Sequence, residues 1–319
     1  VRAAIILAAG HGKRMRSQLP KVMHPVLGRP MVLRVADAAG NAGLDSVVAV
    51  VGHGRNLVMP ALHRHGITPA VQEEQLGTAH ALRCGLEALS GEEPEEVCVL
   101  LGDVPLIRAE TVSGLLSRRR ETGSAVTVLT TVLDDPSGYG RVVREDDGDC
   151  VMAIVEERDA TPAQREIAEI NTGLMAFDGS RLPDLLARIG SDNAQGEYYL
   201  TDAVAIAVDM GLRVTASVAA DSMEVAGVNN PVQLAACTEE QRQRVLGRHL
   251  LAGVAMPDPS TVWIEDDVTI GTGTTVGRLC RLSAGASVGE GCVIGDGAVL
   301  EGVHLPDHSV VEPFTVMRG

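Results

Sequence analysis

Aromatic side chains are almost missing from this chain of 319 residues: one Trp, three Tyr and two Phe, 2% of the whole. Any core must therefore be filled by aliphatic and small residues, which the 45% hydrophobic content can supply. Positive charge is also short, with 27 Lys plus Arg against 42 Asp plus Glu and a formal charge of -15. That balance disfavours nucleic acid or an anionic membrane as the main partner, since both reward a basic face. A small anionic substrate stays open, through local positive charge or a metal. Long hydrophobic runs are lacking too. The longest, Ala3 to Ala9, is too short to span a bilayer and leads into Gly10, His11, Gly12, Lys13 and Arg14 instead of a cleavage-like end, so a soluble cytoplasmic protein is expected. Cys84, Cys98, Cys150, Cys237, Cys280 and Cys292 form no CxxC pair, so neither a zinc knuckle nor a disulfide framework is suggested.

What is present is organised in two styles. Up to about Ala226, short aliphatic runs alternate with amphipathic helical segments, the pattern of a mostly parallel sheet covered by helices. Ala3 to Ala8, Ser46 to Val51, Val97 to Leu101 and Ala125 to Leu133 read as buried strands. Pro30 can start a helix carrying Met31, Val32, Val35, Ala36 and Ala39 on one face, and Thr78 opens another with Leu82, Leu86 and Leu89. From Gly140 to Val155 the period changes to that of a hairpin around Asp146-Asp147-Gly148-Asp149. Asn230 and Pro231 make an N-cap and first-turn pair for a connecting helix reaching Leu251, with Glu240 four residues before Arg244. Beyond it Ile264, Ile270, Val276, Leu282, Val288, Ile294 and Leu300 recur every sixth residue, slip by one, and resume at Leu305, Val311 and Met317. Four residues after each aliphatic position come small or compact ones, Cys280 and Cys292 among them, and glycines often follow directly. This is the hexapeptide repeat of a left-handed parallel β-helix of about three coils, whose interior takes the aliphatic and small residues while glycine serves the turn. Cys280 and Cys292 are packing residues on this reading. The expected division is a Rossmann-like α/β domain over 1–228, a connecting helix over 229–251 and the β-helix over 252–319.

Three stretches carry candidate chemistry. The first strand runs into Leu7-Ala8-Ala9-Gly10-His11-Gly12-Lys13-Arg14-Met15, followed by Leu19-Pro20-Lys21-Val22. Glycines allow a polyphosphate to approach the backbone, and Arg and Lys neutralise charge that develops during transfer. GxxxxGK[ST] is absent and Met15 stands where a dinucleotide fingerprint has its third glycine, so neither motif applies. An ordinary βα turn with solvated cations would look the same. Gly102-Asp103-Val104-Pro105 lies at the carboxyl end of a buried strand, where open α/β sheets bind ligands, and Asp103 suits Mg²⁺ or a simple cap. In Gln72 to His80, Gln72 can donate and accept at once, matching the edge of a nucleobase such as uracil, while Thr78 could merely cap its helix. His11, His24, His53 and His80 show no metal spacing and read as structural or solvated.

Taken in order, these segments resemble the bacterial N-acetylglucosamine-1-phosphate uridylyltransferases, the amino-terminal half of a bifunctional enzyme family that also acetylates glucosamine 1-phosphate. The resemblance covers nearly the whole chain. It rests on the two glycine-loop segments above, Glu74-Gln75-Leu76-Gly77-Thr78, Gly102-Asp103-Val104-Pro105-Leu106, Gly138-Tyr139-Gly140-Arg141, Ile154-Val155-Glu156, Ile170-Asn171-Thr172-Gly173, Asn193 to Asp202 with its Gln195-Gly196-Glu197-Tyr198-Tyr199 core, and Gly227-Val228-Asn229-Asn230. The glycine loop marks only the wider sugar nucleotidyltransferase group. The Gln-Leu-Gly-Thr, Gln-Gly-Glu-Tyr-Tyr and Gly-Val-Asn-Asn segments narrow it.

The resemblance implies uridylyl transfer from UTP to N-acetylglucosamine 1-phosphate, giving UDP-N-acetylglucosamine, a peptidoglycan precursor, and pyrophosphate. It implies that Leu7, Ala8, Ala9, Gly10, Gln72, Gly77 and Thr78 hold the nucleotide, with Gln72 reading uracil. By the same carry-over Arg14 and Lys21 stabilise the triphosphate, Asp103 and Asn229 bind Mg²⁺, and Gly140, Glu156, Asn171 and Tyr199 or its neighbours receive the sugar. It also implies a homotrimer through the β-helix. Two residues depart from the family pattern: Leu101, where some relatives carry a polar or aromatic residue, and Lys13, where a small hydroxyl residue is common. The acetyl-CoA site of that family lies on later coils, so no acetyltransferase activity is expected of these residues. The alternatives are a uridylyl- or thymidylyltransferase for another hexose 1-phosphate, and a non-catalytic nucleotide-sugar-binding scaffold.

Overall fold

In the run from Ala3 to Ile6, Ala3 and Ile5 belong to one core and Ala4 and Ile6 to another, all fully buried. A strand covered on both faces needs apolar residues at every position, which is why the run is continuous. The computed structural model describes every residue except Ser90, Glu92, Asp146, Asp147 and Ala194, so part of the expected Asp146–Asp149 turn lies outside the described residues. By contact the chain divides into two units, Val1–His24 with Pro30–Pro231, and Pro25–Arg29 with Val232–Gly319.

The first unit is built on a nine-stranded sheet: β1 (Arg2–Ala8), β2 (Ser46–Val51), β3 (Thr68–Val71), β4 (Glu96–Leu101), β5 (Val126–Val132), β6 (Arg141–Arg144), β7 (Val151–Val155), β8 (Glu169–Asp178) and β9 (Val214–Val218). Its order is β9-β5-β8-β4-β1-β2-β3, with β6 beside β8 and β7 beside β6. Strands β1 to β6 and β9 run in one direction, and β7 and β8 run against it. Helices α1 (Met31–Asn41), α2 (Arg55–Arg64) and α4 (Ala109–Thr122) pack on one core. Helices α3 (Thr78–Glu87), α6 (Leu182–Arg188) and α7 (Asp202–Asp209) pack on the other, and a single-turn α5 (Pro162–Arg165) lies in the β7–β8 connection. The expected mostly parallel α/β sheet is thus the one found.

The scarcity of rings has a local cause here. A Cβ at Gly85 of α3 would stand 2.5 Å from Ile5 Cγ2, and Ala79 and Ala81 share the same helix. A helix seated this closely on a sheet has no space beneath it for an aromatic side chain. Among the described residues Phe177 is the only ring that is fully buried.

Two features of the sheet place the ligand edge. Strand β1 lies between β2 and β4, so the chain leaves it to one side and later returns on the other, which opens a crevice at its carboxyl end. Strand β8 shifts register between Asn171 and Met175, with Gly173 at φ 83°. That bulge bends its first residues, and because β8 is reversed its Asn171 end lies at the edge where β1 and β4 finish.

The second unit opens on α8 (Pro231–Leu251), as the Asn-Pro pair predicts, and the Glu240–Arg244 ion pair forms at 2.9 Å. Ten short strands follow in three parallel columns, consistent with a left-handed β-helix: Trp263–Ile264 through Val316–Arg318, Thr269–Ile270 through His304–Leu305, and Thr275–Val276 through Val310–Val311. Trp263 faces Arg281 eighteen residues on, as three hexapeptides per coil require, whereas Ser287 faces His304 and Val299 faces Val316 at seventeen. The slip after Leu300 is absorbed there. Ile264, Val276, Leu282, Ile294 and Leu300 fill the interior beside Thr274, Cys280, Ala286, Cys292 and Ala298, and all six cysteines are free thiols.

The repeat's glycines have a different role from the expected turn. Gly289 and Gly295 are not in left-handed backbone; a Cβ on them would lie 2.4 Å from Asp307 and 2.5 Å from the Pro313 nitrogen of the next coil. Coil spacing is what demands them. Left-handed turns fall instead on Gly273, Gly285, Gly291 and Gly297, and also on Leu279, His308 and Phe314. No helix among the described residues is long and apolar enough to cross a membrane.

Candidate functional site

After β1 the chain turns through Gly10, His11 and Gly12 into a short 3-10 turn, Lys13–Met15, anchored by buried Met15. Gly12 has φ 58°, and a Cβ there would lie 2.6 Å from the Lys21 Cβ. Only glycine lets Lys21, at the head of a second 3-10 turn, come up against this loop. On the neighbouring strand, the Gly102 N–H donates to the Leu7 carbonyl (2.9 Å), which sets Asp103 just beyond the end of β1. The Asp103 carbonyl in turn accepts from the Val228 N–H (2.8 Å) and delivers Asn229.

These backbone ties bring four distant residues together. Lys21 Nζ forms an ion pair with Asp103 Oδ2 and donates to Asn229 Oδ1 at 3.1 Å, while Arg14 Nη2 donates to the same oxygen at 2.9 Å. Leu7, Ala8, Ala9, Gly10, Gln72, Gly77 and Thr78 line a cleft of about 340 Å³ with Lys21 and Asp103. Gln72 is 3% exposed; its Nε2 donates to the Gly77 carbonyl (3.1 Å) and lies 3.0 Å from His80 Nδ1. Both amide hydrogens are thereby directed at the chain, and among the described residues Oε1 accepts no hydrogen bond.

Thr78 does not cap its helix: its Oγ1 accepts from the Leu200 N–H at 2.9 Å. With the Tyr198 N–H on the Leu76 carbonyl (2.8 Å) and the Ala79 N–H on the Tyr198 carbonyl (3.0 Å), the segment around Tyr198 is docked along Leu76–Ala79. Gly77, at φ 113°, makes the approach possible, since a Cβ would meet the Tyr198 oxygen at 2.5 Å.

A second cleft of about 240 Å³ holds Glu156, Asn171 and Tyr199, and shares Leu7, Thr78, Leu101 and Glu197 with the first. Gly140 stands behind it: its carbonyl accepts from the Asn171 N–H (2.8 Å), and a Cβ there would lie 3.5 Å from Glu156 Oε2. Burial is the main cause lifting the Glu156 carboxyl above its ordinary pKa. Asp159 and Asp202 push the same way, against the hydrogen bond from Thr201 Oγ1 at 3.1 Å. Burial and then Glu156 and Glu197 likewise raise the Tyr199 phenol. Arg141, 2% exposed, ties this region together through Glu157 (2.8 Å) and the carbonyls of Tyr139 and Arg165.

Several contacts pair residues that nothing local in the sequence joins. Gln75 Nε2 donates to the Ala9 carbonyl (3.1 Å), the His11 and His53 rings meet at 4.9 Å, and departing residue Leu101 is part of the wall between the clefts. Lys13 lies outside both linings. A larger cavity of 610 Å³ lies at the opposite end of the sheet, but its charged residues are Glu93, Glu95 and Asp178, which would repel a phosphate.

The Asp103 carboxylate and the Asn229 amide oxygen converge on one ammonium, so two hard oxygen donors already face a common point of positive charge. That donor set fits a divalent cation that takes its other ligands from phosphate and water. Among the described residues no three His, Cys, Asp or Glu side chains form a self-sufficient metal site.

The MobA-like NTP transferase domain family matches residues 4–168. Proteins named bifunctional protein GlmU match almost the whole chain. That of Geobacter sulfurreducens is 48% identical over 95% of the chain and 63% of its own length, and that of Mycobacterium tuberculosis 44% over 99% and 68%. That of Streptomyces coelicolor is 42% identical over 99% and 69%. The chain therefore spans less than two thirds of the Geobacter relative and slightly more of the others. With a MobA-like domain in the first unit and identity of this level across both, the chain belongs to the GlmU family.

Proposed function

We propose that the chain transfers a uridylyl group from UTP to N-acetylglucosamine 1-phosphate, forming UDP-N-acetylglucosamine and pyrophosphate. The observation that carries this reading is the pair of adjoining clefts with a shared wall at Leu7, Thr78, Leu101 and Glu197, and with Lys21 and Asp103 lining the first. Two ligands held there meet at their phosphates. A sugar phosphate has a second pKa near ~6 and is mostly dianionic at neutral pH, so its oxygen can attack the α-phosphorus without a strong general base. A new P–O bond forms as the bond to the β-phosphate breaks and pyrophosphate leaves. The protein's tasks are then in-line positioning and neutralisation of charge. Arg14 and Lys21 supply cations, Gln72, Gly77 and Thr78 hold the nucleoside, and Glu156, Asn171 and Tyr199 receive the sugar. Asp103 and Asn229 would hold Mg²⁺, which supplies further charge neutralisation on the phosphates when bound. The reading extends to a homotrimer assembled through the β-helix.

Pyrophosphate release with UTP, Mg²⁺ and N-acetylglucosamine 1-phosphate tests the assignment. Arg14→Ala and Asp103→Ala should each lower kcat by about 10²–10³-fold with circular dichroism unchanged. Unaltered rates would refute their roles. A panel of hexose 1-phosphates with UTP and dTTP identifies the substrate pair, and better turnover of a different pair would replace this one. UDP-sugar binding with no release from any pair would make the protein a binding scaffold.

A further inference from the structure

We propose that His80 is a positioning residue that locks the Gln72 side-chain amide with its oxygen towards the nucleotide cleft, and so favours a base that presents a ring N–H. This rests on the reading that the cleft takes a uridine nucleotide.

The lock follows from hydrogen-bond chemistry. An amide nitrogen has two hydrogens and no lone pair to offer, so the 3.0 Å contact between Gln72 Nε2 and His80 Nδ1 requires the amide to donate and Nδ1 to accept. His80 must then be neutral and carry its proton on Nε2. That nitrogen faces Cys84 Sγ at 3.9 Å, one turn along α3, where a thiol sulfur serves as a weak acceptor. The second amide hydrogen goes to the Gly77 carbonyl at 3.1 Å. Turning the amide over would set Oε1 against the Gly77 carbonyl and, while His80 keeps its proton on Nε2, against Nδ1 as well, at a residue only 3% exposed. Among the described residues Oε1 accepts no hydrogen bond, and Gln72 lines the cleft, so the acceptor is what a ligand meets.

A fixed acceptor distinguishes pyrimidines. Uracil and thymine offer N3–H to it; cytosine at the same place offers a lone pair, and two acceptors in contact leave a buried polar group unpaired. Discrimination against cytosine is lost once the amide can turn over. The Gly77 carbonyl is backbone and holds one hydrogen in any variant, whereas the His80 acceptor can be removed.

The experiment compares wild type, His80→Leu, which lacks an acceptor, and His80→Asn, whose Oδ1 can stand in for Nδ1. In His80→Leu the ratio of kcat/KM for UTP over CTP should fall about tenfold, the size expected for one hydrogen bond, through a rise in KM for UTP with kcat within about twofold. His80→Asn should restore the ratio to within about threefold, which a merely space-filling role would not do. An unchanged ratio in His80→Leu, or equal loss in both variants, would overturn the proposal. A substrate-free readout separates it from the functional reading: the Gln72 side-chain NH₂ signals, assigned with Gln72→Glu, should exchange slowly with solvent in wild type and His80→Asn and rapidly in His80→Leu. Fast exchange in wild type would refute the lock. Slow exchange together with no transfer from UTP to any sugar phosphate would instead refute the uridylyl reading and the base preference built on it.

Discussion

Glu156 carries a penalty that a glutamine would not. Its carboxyl is partly desolvated, with Asp159 and Asp202 nearby, and the result is a pKa above the ordinary carboxylate value. A raised native pKa means that the fold binds the proton more tightly than the unfolded chain does. Stability therefore falls as pH climbs from the ordinary value through the raised one, so at neutral pH, above the ordinary value, a penalty is present. Glu156→Gln keeps an oxygen for the Thr201 hydroxyl and should melt higher than wild type at pH 7, with the gap closing below pH ~4, where both chains would be neutral at this position. If Glu156 receives the sugar as proposed, the same change should lower kcat/KM for the sugar phosphate by at least about tenfold, since a charge-assisted hydrogen bond would be lost. A variant less stable than wild type at pH 7 would contradict this account. At this scale the sequence is informative about chemistry and silent about partners. Lys21 and Asp103 stand out because their residue types suit phosphate and metal, and Asn229 through the resemblance carried by Gly227-Val228-Asn229-Asn230. That Thr78 serves the Leu200 N–H, and that one Gln72 hydrogen goes to the Gly77 carbonyl, depends on backbone groups that any residue carries.

The helix α8 shows what an element needs beyond its own pattern. Arg242 is buried on it, pairs with Glu239 at 2.7 Å and donates through Nη1 to the carbonyls of Pro259 (3.1 Å) and Val262 (3.0 Å), just before the first solenoid strand. Arg242 and Gln243 together hold the Glu239 carboxyl down to about 2. Arg242→Met removes the charge and leaves the Val262 carbonyl unpaired, while the Pro259 carbonyl keeps the Val262 N–H at 3.1 Å, which should cost the second unit about 2 kcal/mol. Trp263, the chain's single Trp, lies in that first strand, so its emission during urea unfolding reports on the second unit. An unshifted midpoint would show that the tie contributes nothing. The solenoid was legible because an inward residue at every sixth position is a constraint repeated on each face, and the Glu240–Arg244 pair because both partners share a helix. The Arg242 tie was not, since its carbonyl partners lie 17 and 20 residues downstream and have no side-chain signature. Nor was the reason for Gly289 and Gly295, which depends on the neighbouring coil.

At the scale of the molecule, part of the organisation has no contiguous signal at all. Pro25–Arg29 belongs to the second unit although the residues on both sides belong to the first, and Leu27, 1% exposed, joins the second unit's core. The outer surface of the solenoid is easier to interpret, because the residue before each inward aliphatic points out. One column presents Thr269, Ser287 and His304; another presents Thr275, Val293 and Val310, with Val293 and Val310 paired across the coils and 49% and 69% exposed. An apolar stack of this kind is the face on which the proposed trimer would close, since three copies around an axis bury it three times over. Val310→Asp would set three unpaired carboxylates into that contact, so the trimer should dissociate at micromolar concentration in sedimentation velocity, while far-UV circular dichroism keeps its wild-type form. The formal charge of -15 per chain acts in the same equilibrium. Assembly concentrates like charge, so raising NaCl from about 50 to about 500 mM should tighten the wild-type trimer by screening it. Sedimentation of wild type at the 33.4 kDa of one chain under both conditions, or of Val310→Asp at three times that mass, would rule this column out as the contact.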